Sequence, residues 1–160
     1  RVSFTDEDFT KLLDVSEAVA VSGQGRVRGV SIATEHVDMM RFAFSSFLRP
    51  TESELFGIRF GDVIIKKDPD HLELTLNGKT GRRVSATLAD AVPIFLRQKA
   101  RYPKADVSDH VFMPDYPNRT TAVNTYRRVF NHFLDAAGVK KDKDGQARSP
   151  YSLRHYALQS

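Results

Sequence analysis

Apolar side chains recur at the helical period of 3.6 residues in two early stretches and predict two helices. Thr5 can cap the first helix, and the acidic residues that follow it suit a helix amino terminus. The apolar face of this first helix consists of Phe9, Leu12 and Leu13. The second helix covers 36–48, with an apolar face of Val37, Met40, Phe44 and Phe47. The glycine-rich stretch 22–29 between them predicts a flexible loop.

The dipeptide Arg49-Pro50 breaks the second helix, because a residue before proline avoids the α region. Proline itself favours the first position of a helix. The sequence therefore predicts a new helix beginning at Pro50 and burying Leu55, Phe56 and Ile58. Arg49 would then lie beside a helix amino terminus.

After Asp62 the pattern changes to period two and predicts three strands, at 63–66, 71–76 and 82–88. A turn at 68–70 and a hairpin connection at 77–81 separate them. The inward faces are predicted to be Leu72, Leu74 and Leu76 on the second strand and Val84, Ala86 and Leu88 on the third. The strands would form a small antiparallel sheet.

Helical patterns return in the second half of the chain. Asp90 can cap a helix over 91–102, and a long loop follows over 103–119. Thr121 is predicted to cap a helix that ends at Gly138 and whose core face is Val123, Tyr126, Phe130, Phe133 and Leu134. After a charged loop over 140–145, Ser149 can cap a last helix with Pro150 at its first position. That helix still runs at Ser160, so we expect a fragment of a longer protein. The pattern as a whole predicts an α+β fold, mainly helical with a three-stranded antiparallel sheet.

Composition narrows the class of protein. The 160 residues are 41% hydrophobic and 28% charged, which fits a single folded domain and excludes disorder. Cysteine is absent, which excludes disulfides, thiol catalysis and cysteine-bound zinc. No apolar run approaches the roughly 20 residues of a membrane span. The net charge is +4, and residues 91–160 alone carry 12 basic and 6 acidic groups. A polyanion such as nucleic acid is the natural partner of that half.

Three clusters carry candidate chemistry. Arg49 at a predicted helix start is a ready anion site, and Glu52 can reach back to hold its guanidinium or cap the turn. Lys79 at the hairpin tip can reach a phosphate or a leaving oxygen. On the last helix, Tyr151, Arg154 and His155 share one face and can address one phosphate. Each cluster has a plain alternative, which is a solvated loop, hairpin tip or helix end.

The order and spacing of these clusters resemble the tyrosine recombinases, a family that includes the phage integrases. A Leu-Arg-Pro-x-Glu turn at 48–52, a Lys-Thr-Gly-Arg hairpin at 79–82 and a Ser-Leu-Arg-His helix at 152–155 carry the likeness, over roughly residues 4–160. The resemblance implies an incomplete catalytic domain over 1–160. The family's amino-terminal DNA-binding domain and the later segment with the nucleophilic tyrosine would be absent.

The resemblance also implies a mechanism. A tyrosine hydroxyl attacks a DNA phosphodiester, forms a 3′-phosphotyrosyl enzyme and releases a 5′-hydroxyl, without metal or cofactor. Arg49 and Arg154 would clamp the phosphate, and Lys79 would protonate the leaving oxygen as general acid. Tyr151 and His155 would orient the phosphate or the arginines. Tyr151 departs from the family, which usually has His there, and Tyr156 corresponds to a packing position rather than to the nucleophile.

The expected partner is double-stranded DNA, bound weakly and in a salt-sensitive way by this chain. Candidates for contact with the DNA backbone are Arg82, Arg83, Arg127, Arg128, Lys140, Lys141 and Arg148. We expect a monomer here, a tetramer on DNA for the parent, and a cytoplasmic, prokaryotic location without a membrane. Two alternatives stay open: a non-catalytic DNA-binding module with a recombinase-like fold, and a basic α+β domain that binds RNA or protein.

Overall fold

The computed structural model describes residues 1–78 and 81–160. The fold is α+β and mainly helical, as predicted. The helices are α1 (Asp6–Ser22), α2 (Thr34–Ser46), α3 (Ala91–Arg101), α4 (Arg119–Ala137) and α5 (Pro150–Gln159). The strands are β1 (Arg26–Val27), β2 (Val30–Ser31), β3 (Val63–Lys66), β4 (His71–Gly78) and β5 (Gly81–Ala86), with a 3-10 turn at Phe60–Asp62. The chain divides into two units, unit 1 with residues 1–40 and 124–160, and unit 2 with residues 41–123.

Helix α1 of unit 1 begins as its sequence predicts. Thr5 Oγ1 accepts a hydrogen bond from the Asp8 backbone N–H at 3.1 Å, and Leu12 is fully buried. The loop prediction for 22–29 is wrong in part, because β1 and β2 form a short hairpin there. Arg28 and Gly29 both have positive φ, the backbone conformation that a tight two-residue hairpin turn requires.

Helix α4 is capped one turn earlier than predicted. The side-chain oxygen of Asn118, rather than Thr121, accepts from the N–H groups of Thr120 and Thr121, at 2.9 and 3.3 Å. Its predicted core face is buried at Tyr126, Phe130, Phe133 and Leu134, whereas Val123 is only half-buried. Gly138 ends the helix with φ 70°, and the Val139 N–H returns to the Leu134 carbonyl at 3.0 Å.

The β3-β4-β5 sheet of unit 2 is antiparallel, as predicted. β4 lies in the middle and alternates strictly, so that Leu72, Leu74 and Leu76 are buried on one face. After β5, the Leu88 N–H donates to the Ser45 carbonyl at 2.8 Å and ties the sheet to the carboxyl end of α2.

The inward face predicted for β5 is wrong. Val84 is 62% exposed, and Ala86 and Leu88 are exposed as well. The register pairs Leu76 with Arg83 and Thr75 with Val84. Directly opposed residues share a face, so Arg83 lies on the leucine face and Val84 on the other. The prediction placed five residues in the connection, but the ladder continues to the pair Gly78–Gly81. A shift of one residue in the pairing register moves every side chain of the strand to the other face of the sheet.

The apolar face predicted for α2 is confirmed in part. Val37 and Met40 are buried, but Phe44 and Phe47 are half-buried, while Phe42 is fully buried. Phe42 packs edge-on against Phe112 of the same unit, with ring centroids 5.0 Å apart. At the start of α3, Asp90 holds the cap position, although its side chain makes no capping hydrogen bond.

Candidate phosphate-binding residues

Arg49 follows a sharp end to helix α2. Phe47 has φ 61°, a left-handed conformation that stops the helix, and Leu48 then enters the core while Arg49 stays exposed. The predicted helix from Pro50 is wrong: the chain bends at residues 50 and 51 and forms turns over residues 52–57. The Leu55 N–H donates to the Arg49 carbonyl at 3.1 Å, a bond across six residues that an α-helix does not make. Arg49 therefore lies beside a turn and not beside a helix amino terminus.

The turn still buries the side chains that the prediction placed inside. Leu55, Phe56 and Ile58 are all buried. Gly57 is required here, since a Cβ at this position would lie 2.6 Å from the Ser53 carbonyl oxygen. The apolar spacing was thus correct even though the backbone is not helical.

Glu54, rather than Glu52, holds Arg49. One carboxylate oxygen of Glu54 accepts from the Arg49 backbone N–H at 2.9 Å, and the other accepts from the Arg49 guanidinium at 2.9 Å. Glu52 accepts instead from the Thr120 hydroxyl at 3.0 Å. Glu54 is not among the residues predicted from the sequence, although its acidic side chain five residues after Arg49 is a visible signal.

Arg83 joins the same carboxylate from β5. Its guanidinium lies 3.3 Å from the Glu54 oxygen that Arg49 contacts. The Glu54 side chain is 13% exposed, whereas those of Arg49 and Arg83 are 47% and 56% exposed. Unit 2 thus presents two solvent-facing guanidiniums that share a largely buried anion. Lys79 of the predicted set lies outside the described residues.

Helix α5 of unit 1 carries the other predicted residues. It begins at Pro150 as expected, and the Ser152 hydroxyl accepts from the Ser149 N–H at 3.0 Å. Tyr151 is exposed, while Arg154 and His155 are half-buried. Burial, followed by the positive charges of Arg1 and Arg154, lowers the pKa of His155. His155 is therefore held toward its neutral form beside Arg154.

The Nδ1 atom of His155 is buried without a hydrogen-bond partner among the described residues. A buried polar atom left without a partner is unusual in a folded protein. Its neutral ring can accept or donate one hydrogen bond at that nitrogen.

Two other tyrosines are engaged within unit 1. The Tyr156 hydroxyl donates to Asp6, and its ring packs against Phe9 with centroids 4.7 Å apart. Burial, then the hydrogen bond to Asp6, raises the pKa of Tyr156 to about 12. Tyr126 is buried, and its burial raises the pKa of the phenol strongly. Both phenols are poor nucleophiles in these surroundings.

Arg148 is wrong as a DNA-backbone candidate. It is 3% exposed and pairs with Asp8 at 2.8 Å. It also donates to the carbonyls of Ser3 and Val139, at 2.7 and 3.0 Å, and its guanidinium lies 4.7 Å from the Phe4 ring centroid. Its guanidinium is therefore paired inside unit 1, where it links the segment before α5 to the residues at the start of α1.

The remaining basic candidates differ in exposure. Arg82, Arg127 and Lys141 are exposed, and Arg128 is half-buried. Lys140 is engaged, since its ammonium donates to the Asn131 side chain at 2.9 Å.

Among the described residues, no group of three or more His, Asp or Glu side chains could hold a metal ion. Nor does any helix in this part of the chain have the length and apolar character to cross a membrane.

Comparisons with known proteins bear on the fold. No family model and no curated protein matches the sequence. Among solved structures, the chain is similar to the XerH site-specific recombinase bound to its difH substrate in a pre-cleavage complex. The TM-score is 0.63 at 10% sequence identity, over 98% of this chain and 42% of the XerH chain. The chain thus has a recombinase-like fold and spans less than half the length of that protein.

Proposed function

We propose that this chain binds double-stranded DNA and belongs to the catalytic part of a protein that cleaves and rejoins DNA strands in site-specific recombination. The observation that carries the proposal is the recombinase-like fold over 98% of the chain. Two further features support it: the exposed guanidinium of Arg49, which Glu54 holds in place, and the excess of basic residues in 91–160.

The proposed chemistry depends most on stabilising negative charge at the phosphate. A phosphodiester gains negative charge in a pentavalent transition state, and forked guanidinium donors stabilise it. We assign this task to Arg49 and Arg154. Lys79 would protonate the leaving 5′ oxygen as general acid. Tyr151 and a neutral His155 would orient the phosphate or the arginines.

The nucleophile is not assigned to a tyrosine of this chain. Tyr126 is buried and Tyr156 is bound to Asp6, so neither phenol presents its oxygen for attack. Tyr151 is exposed, but it stands three residues before Arg154, where the family usually has a phosphate-contacting His. Tyr102 and Tyr116 precede Arg154, whereas the resemblance implies a nucleophile that follows it. We therefore expect this chain to bind DNA without cutting it.

Duplex binding tests the proposal directly. Binding can be measured by fluorescence anisotropy with a labelled duplex over a series of salt concentrations. The association constant should be small, and its logarithm should fall linearly with the logarithm of the salt concentration. Arg49→Ala and Arg154→Ala should each weaken binding more than Arg26→Ala, which removes the same charge from the β1 hairpin. Absence of binding, or binding that salt does not weaken, would contradict the proposal.

A denaturing gel tests the assignment of the tyrosines. After incubation with the duplex, the chain should give no covalent protein–DNA adduct. An adduct that disappears in Tyr151→Phe would overturn the assignment of Tyr151 as a phosphate-orienting residue.

A further inference from the structure

We infer that Arg83 is a second phosphate-binding side chain beside Arg49, and that Glu54 is the residue that positions the pair. This inference rests on the proposed DNA-binding function and extends it to two residues that the resemblance does not include in the catalytic set. The ligand is a DNA phosphodiester, and all three residues belong to unit 2.

Both oxygens of the Glu54 carboxylate are engaged. Its first oxygen is fixed by the Arg49 backbone N–H, so the carboxylate cannot turn freely. Its second oxygen contacts Arg49 at 2.9 Å and Arg83 at 3.3 Å. Since both guanidiniums touch one atom, the two cations stand side by side at a fixed point of the unit.

The sheet register explains why Arg83, and not Arg82, reaches this point. Arg83 is paired with Leu76 and therefore shares the face of the buried leucines. Arg82 is paired with Asn77 and lies on the opposite face. A strand residue on the core-facing side can approach the largely buried Glu54, while its neighbour cannot.

The charge balance favours an anionic ligand. Two guanidiniums and one carboxylate leave one uncompensated positive charge. Each guanidinium carries five N–H donors, and within the described residues Glu54 takes one from Arg49 and contacts one Nη of Arg83. The remaining donors are on side chains that are about half exposed. A phosphodiester has two non-bridging oxygens, and paired guanidiniums match that arrangement.

A purely structural role is the competing explanation, in which Glu54 merely anchors the hairpin. The two roles differ in salt dependence. A residue that contacts a phosphate reduces the steepness of the salt dependence by about one when it is removed. A structural anchor changes the melting temperature and leaves that steepness unchanged.

The test is duplex binding by the whole chain, measured at several salt concentrations for the wild type, Arg83→Ala and Arg26→Ala. Arg83→Ala should bind about tenfold more weakly, with a salt slope reduced by about one. Arg26→Ala should keep the wild-type slope. A wild type that binds no DNA would contradict the proposed function and this inference together. A wild type that binds, with the same slope in Arg83→Ala, would overturn this inference alone.

A double-mutant cycle tests the positioning role of Glu54. Glu54→Gln keeps the shape of the side chain and removes the charge that holds the guanidiniums. In that background Arg83→Ala should weaken binding by less than about threefold, because Arg83 is no longer held beside Arg49. An equal loss in both backgrounds would show that Glu54 does not position Arg83. Arg83→Lys should restore the salt slope but only part of the affinity, since an ammonium lacks the fork.

Discussion

Replacing Arg148 with alanine tests the claim that this side chain belongs to the interior of unit 1. The guanidinium is almost fully buried, pairs with Asp8 and donates to the carbonyls of Ser3 and Val139. Its removal leaves the carbonyls without these donors and takes the cation from above the Phe4 ring.

The magnitude follows from these contacts. Removing one partner of a buried ion pair costs about 3–5 kcal/mol, which is a large part of the roughly 5–15 kcal/mol by which a domain is stable. For a chain of this size, each kcal/mol lowers the melting temperature by about 2–4 °C. We therefore expect Arg148→Ala to melt about 10 °C below the wild type. Asp8→Asn keeps an acceptor but leaves the buried Arg148 guanidinium without its counter-ion, so it should lower the melting temperature by a similar amount.

The melting temperature can be measured by circular dichroism, because the chain is mainly helical. The chain has no tryptophan whose fluorescence could report unfolding instead. Lys143→Ala, which removes an exposed positive charge from the loop before α5, is the matched control and should shift stability by less than about 0.5 kcal/mol. If Arg148→Ala has the same melting temperature as Lys143→Ala, the hydrogen bonds and ion pair of Arg148 do not stabilise unit 1. If Asp8→Asn still folds but shows no loss either, the ion pair contributes nothing.

Two further predictions concern unit 2. Burial, then the charges of Arg119 and Arg59, lower the pKa of His110 from 6.5 to about 4. Between these values the unfolded chain takes up the proton first, so the melting temperature should fall as the pH drops from 6.5 to 4. His110→Gln should flatten that fall, and an unchanged pH profile would refute the cause. Asn118→Ala should cost about 1 kcal/mol as a lost cap, whereas Thr121→Ala should be neutral in the same melting assay; the reverse order would restore Thr121 as the cap.

Sequence patterns within single helices and strands predicted most of the secondary structure of this chain. The cap at Thr5, the strict alternation along β4 and the glycine stop at Gly138 each depend on residues within one element. β3 begins and ends where the period-two pattern does. These features follow from backbone sterics and burial, which act at short range in the sequence.

The details that the sequence misplaced have two causes. At 50–57 the chain forms bends and turns in which Glu54 binds Arg49 and the Leu55 N–H reaches back to the Arg49 carbonyl, and the apolar spacing of this segment does not distinguish them from a helix. The other misplaced details depend on contacts between distant parts of the chain. The wrong face of β5 follows from a pairing that only the partner strand fixes. Arg148 looks like any basic surface residue in the sequence, and only the convergence of Asp8 and Ser3 reveals its burial.

The proposed mechanism requires that Arg49 and Arg154 meet at one phosphate. The chain has no cysteine, so Arg49→Cys and Arg154→Cys can be introduced together and treated with a short bifunctional thiol reagent. If the two residues face one phosphate, the double variant forms an intramolecular cross-link, detected by mass spectrometry after proteolysis, that neither single variant forms. A double variant that takes up one reagent molecule at each cysteine and forms no link would place the two residues apart and contradict the recombinase mechanism.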